Sequence, residues 1–98
     1  MSLSNNMNEP TRQFHSEVVT VGTAAVQLPD HNEASWVQVM HEHATAKVYI
    51  GGSNITTANG FGALASLDTT ERYPVQNTNK LWAISDTAGV SLKILWGE

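Results

Sequence analysis

Residues 81–96 read LWAISDTAGVSLKILW. Apolar and polar residues alternate in 81–85 (LWAIS) and again in 91–96 (SLKILW), which is the period of a strand with one buried face. Leu92, Ile94 and Trp96 fall on one face and Lys93 on the other. Asp86, Thr87, Ala88 and Gly89 lie between the two runs as turn formers, so the stretch predicts a β-hairpin with an inward apolar row. Trp96 is expected to anchor the end of the chain.

The same pattern extends towards the N-terminus. Residues 17–21 (EVVTV) read as a strand broken by Gly22. Residues 24–28 (AAVQL) are a second strand, closed by Pro29, Asp30 and Asn32. In 36–42 (WVQVMHE), Val37, Val39 and His41 share one face, and Trp36, Gln38 and Met40 the other. Residues 47–50 (KVYI) form a strand that stops at Gly51 and Gly52, which ask for unusual backbone angles or a close neighbour. Residues 55–58 continue it briefly before Asn59-Gly60, a dipeptide that favours a tight turn with positive φ. Residues 61–67 are small and ambiguous, and the modest helix tendency of 62–67 is too weak to predict a helix. Residues 71–75 look extended, and Pro74 suits an edge. About eight short strands and no amphipathic helix predict an all-β domain, a single β-sandwich or small barrel with jelly-roll topology.

Bulk properties set limits. A chain of 98 residues builds one thin core, burying roughly 60–65% of its unfolded surface, so pairing with other copies is physically useful. There is no cysteine, which removes disulfides, thiolate metal sites and a cysteine nucleophile. A net charge of -4 argues against a grip on nucleic-acid phosphates. No apolar run approaches a membrane span, and the start of the chain has no signal-peptide pattern, so a protein made and kept soluble, without Sec export, is expected. Charged residues make up only 14%, leaving Ser, Thr, Asn and Gln to supply surface polarity. Residues 1–13 (MSLSNNMNEPTRQ) have no apolar period and are expected to be a flexible arm preceding the domain at 14–98; the arm is either disordered or ordered on a neighbouring subunit.

Candidate chemistry is sparse. In His41-Glu42-His43 two imidazoles would point the same way along a strand, but two ligands are too few for a metal site, and His15 and His31 cannot be placed beside them. A polar strand end, or a ring of symmetry-related histidines at an oligomer axis, remain as readings. Asp30, Glu33, Asp68, Glu71 and Asp86 show no catalytic spacing, and no nucleophile elbow, phosphate loop or dinucleotide fingerprint occurs. Gly51-Gly52-Ser53 lacks the helix or lysine that would complete an anion nest. Trp36, Trp82, Trp96, Tyr49 and Tyr73 are read as core or subunit interface, with a sugar-stacking platform as the remaining option. No catalytic residue, cofactor or metal is expected. Contacts with other chains are expected at Pro10, Arg12, Phe14, His41 and His43.

Residues 47–96 carry a resemblance: KVYIGGSNITTANGFGAL, then YPVQ, then KLWAISDTAGVSLKILW. A strand ending in Gly-Gly-Ser, an Ile-Thr segment, a Gly turn, a Leu-Trp-Ala-Ile-Ser strand and a final strand resemble the small β-sandwich structural proteins of tailed bacteriophages. The resemblance implies a virion protein without catalytic residues: a head decoration or cement subunit, trimeric and attached through its arm to the major capsid protein or another virion protein. The alternative it leaves open is a small tail, baseplate or fibre component that recognises a host surface or glycan.

Overall fold

A computed structural model describes residues 13–98. Eight strands follow one another: β1 (Phe14–Val21), β2 (Val26–Gln27), β3 (Trp36–His41), β4 (Val48–Gly51), β5 (Phe61–Leu64), β6 (Tyr73–Pro74), β7 (Trp82–Ser85) and β8 (Val90–Gly97). They form two four-stranded sheets, β1-β8-β3-β6 and β2-β7-β4-β5, and every pairing is antiparallel. The pairs β4·β5, β3·β6, β2·β7 and β1·β8 are nested one inside the next, as if one long hairpin had been rolled up. This is the jelly-roll order, and the fold is a small all-β sandwich.

The two longest strands, β1 and β8, turn one face inward because their residues alternate. β8 shows this along its length: Val90, Leu92, Ile94 and Trp96 are buried, Ser91 and Lys93 exposed. They meet Val21, Val37 and Val39 from the same sheet and Leu28, Val48, Ile50 and Ala83 from the other. Burial of these aliphatic side chains, each stabilising by about 1.5–3 kcal/mol, is the main force holding the two layers together.

The hairpin expected at 81–96 is not formed. β7 lies in the second sheet between β2 and β4, and β8 in the first between β1 and β3. Alternation says that one face of a strand is buried, but both sheets offer an interior to face. Residues 86–89 therefore make a corner between sheets, with Gly89 at φ 72°. Polar contacts hold that corner. Asp86 Oδ1 accepts from Lys47 N at 3.0 Å, Ser85 Oγ donates to Lys47 O at 3.0 Å, and Thr87 N donates to Ser85 Oγ at 3.0 Å.

Two other expectations change. Residues 55–58 are a loop, in which Thr56 N donates to Asn59 Oδ1 at 2.7 Å and Gly60 N to Thr56 O at 2.9 Å. Gly60 is needed for close approach and not for a positive φ: a Cβ there would collide with Tyr49 Cβ. The positive φ, 69°, occurs at Gly62, inside β5, which resolves the ambiguous 61–67 segment as a strand followed by a turn. Among the described residues no helix is long and apolar enough to cross a membrane.

Candidate assembly surface

The outer face of the β1-β8-β3-β6 sheet follows from strand parity. Odd-numbered residues of β1 point inward, leaving Phe14, Ser16, Val18 and Thr20 outside. Register aligns Phe14 with Gly97 and Trp36, Ser16 with Leu95 and Gln38, and Val18 with Lys93 and Met40. Gly97 has no side chain, so the rings of Phe14 and Trp36 close over it edge to face, 5.8 Å apart at 69°. The Arg72 guanidinium covers Trp36 at 4.0 Å from its ring centre. Beside this cluster runs a shallow, mainly apolar groove of about 150 Å³ lined by Ser16, Gln38, Met40, Thr69, Lys93 and Leu95. Phe14 and Val18 remain 56% and 58% exposed, although they are large apolar residues on the same strand face. Lys93 pairs with Glu42 at 3.1 Å at the far end.

The residues singled out in the sequence divide. Phe14 belongs to this surface. Pro10 and Arg12 lie outside the described residues. His41 does not belong: it is fully buried, its Nε2 donating to Leu64 O at 2.7 Å and its Nδ1 accepting from His43 N at 3.1 Å. Those contacts assign the tautomer and leave no ring nitrogen for a metal or a neighbouring subunit. The contact role expected of His41 is corrected accordingly, because the parity that puts Val37 and Val39 inside carries His41 with them. The His43 Nδ1 accepts from Thr45 N at 3.2 Å and Ala46 N at 3.1 Å, so this ring organises the turn into β4. His41 and His43 therefore do not converge on one point. Among the described residues no group of three or more His, Asp or Glu is placed to hold a metal ion.

A constellation the sequence did not reveal sits at the opposite end. The rings of His15 and His31 both stack on Trp96, at 4.1 and 4.5 Å between centres. Each imidazole is tied to a carboxylate, His31 Nε2 to Glu17 at 2.6 Å and His15 Nε2 to Glu98 at 3.1 Å. These pairings bind β1, the loop after β2 and the end of β8 into one corner. The partners are 83 positions apart in the His15–Glu98 pair, and only the β1·β8 ladder brings them together.

The aromatic residues share no single platform. Trp36 lies on the outside of the first sheet, Trp96 inside the sandwich, and Trp82 with Tyr49 on the outside of the second sheet.

No protein-family model matches the chain, and no curated protein matches it. Among solved structures it is similar to a chain of the Bacillus endospore appendages described as a novel family of disulfide-linked pili, with 12% identity over 99% of this chain and 98% of that one and a TM-score of 0.45.

Proposed function

We propose that this chain is a non-enzymatic structural subunit that works by associating with copies of itself and with a larger particle. The observation that carries the reading is the outer face of the first sheet, where Phe14 and Val18, two of the four large apolar residues exposed among the described residues, stand on one strand face beside an apolar groove; the other two, Phe61 and Leu67, lie apart from it. Exposed apolar residues gathered on one rigid sheet face are the usual mark of a protein contact. A thin core of this size also gains from burying more surface against neighbours.

The particle proposed is the head of a tailed phage, with the chain as a decoration subunit bound to the major capsid protein. This rests on the resemblance in residues 47–96. The resemblance implies a trimer, and many weak contacts repeated over a shell would add through multivalency. Imaging of virions with the subunit labelled tests the assignment: density over the head is expected, and its confinement to the tail, or its absence, overturns it. A glycan-binding tail component ranks second, because the rings that would stack on a sugar are divided among separate faces.

A further inference from the structure

The two sheets have four edges, and three are defended. β2 is two residues long, β6 is two residues long and contains Pro74, and β5 pairs with β4 through a register shift. Short strands, proline and bulges are the devices by which proteins keep sheet edges from pairing with other chains. β1 has none of them. It runs for eight residues (FHSEVVTV) in unbroken register with β8, without proline or lysine. Its one carboxylate, Glu17, is engaged by His31 from the inner side.

The free side of β1 can be identified. Glu98 N donates to Gln13 O, so the pair Gln13·Glu98 is hydrogen-bonded, and alternation along an antiparallel ladder makes His15·Trp96, Glu17·Ile94, Val19·Leu92 and Val21·Val90 bonded as well. The N–H and C=O groups of Phe14, Ser16, Val18 and Thr20 therefore point at the open edge, and among the described residues no strand pairs with them. The same residues carry the exposed apolar side chains.

We propose that β1 pairs antiparallel with β1 of a second copy across a two-fold axis through Val18, fusing the two first sheets into one continuous sheet. This deepens the assembly reading and rests on it. Such an axis is normal to the sheet and keeps outer residues on the outer face in both copies. Centred on Val18, it sets Val18 against Val18, Ser16 against Thr20 and Glu17 against Val19, an apolar centre flanked by hydroxyl pairs with no like charges opposed. Centring on Glu17 would oppose two carboxylates. Centring on Ser16 would leave Val19, Thr20 and Val21 beyond the end of the second strand. An isologous contact links copies two at a time, giving a dimer or joining trimers in pairs.

The test uses the full chain in sedimentation across a concentration series, with Val18→Lys and Val18→Glu beside the wild type. Val18 is mostly exposed and among the described residues no strand pairs with its N–H, so both variants should keep the wild-type circular dichroism and urea midpoint. The wild type is expected to form an even-numbered oligomer, and each variant alone to weaken the association by about tenfold or more. An equimolar mixture of the two variants is expected to regain it, because only a two-fold through residue 18 sets the lysine against the glutamate. In the wild-type oligomer the amides of Ser16, Val18 and Thr20 should also gain protection from hydrogen exchange. An oligomer indifferent to both variants would overturn the β1 pairing and leave the assembly reading standing. Variants that dissociate but do not recombine would overturn the two-fold at Val18. A wild type that stays monomeric throughout would overturn the pairing and count against self-association altogether.

Discussion

His41 is a polar side chain used as a core component. Its ring is buried opposite its register partner Leu92, and its two nitrogens satisfy Leu64 O and His43 N. Replacing it with leucine keeps the volume and leaves both backbone groups unpaired, so His41→Leu should cost about 2–4 kcal/mol in urea unfolding despite adding an apolar residue. Leu67 is the reverse case. It holds φ at 69° with its side chain 66% exposed, a conformation that penalises a leucine and tolerates asparagine. Leu67→Asn should therefore stabilise the domain by about 0.5–1 kcal/mol, read as a higher urea midpoint. The inward direction of His41 was legible in the alternation of 36–42. Its hydrogen-bond partners were not, since Leu64 reaches it only through the fold.

Elements with a long alternating run could be read from the sequence, and elements defined by their partners could not. β3 and β8 show their buried faces in their own residues. β2 and β6 are two residues each and exist only because β7 and β3 lie beside them. The corner between β7 and β8 illustrates the limit, because Asp86, Thr87 and Gly89 suit a hairpin and a sheet-to-sheet crossing equally well. The crossing is held by contacts with Lys47. The Lys47 N–H, then the Thr87 hydroxyl, then the Lys47 charge hold the Asp86 carboxyl below the usual carboxylate range. A lowered folded-state value means that the carboxylate contributes to stability above the unfolded-state pKa and loses that contribution as pH falls through the folded value. Asp86→Asn should therefore be less stable than the wild type near neutral pH, with the gap closing below about pH 4; thermal melts of both proteins across pH provide the check.

At the scale of the whole molecule, the class, the number of strands and the jelly-roll arrangement were expected from the regular spacing of short runs and turns. The pairing of distant segments was not, and neither was the corner where His15, His31 and Trp96 meet, because chain separation carries no record of spatial neighbours. The nested order of pairs has a kinetic consequence. β4·β5 closes the shortest loop, and each later pair encloses all the earlier ones, so the least costly route zips outward from the β4–β5 turn. Refolding should be slow for the chain's size, roughly milliseconds to seconds. Val48→Ala in β4 should slow folding, and Val19→Ala in β1 should mainly speed unfolding, as read by stopped-flow tryptophan fluorescence. On this route β1 is the last strand to find its place. The strand with the open edge is thus also the one still free when the rest of the sandwich has formed, and folding at high concentration exposes it to β8 of another chain before it meets its own.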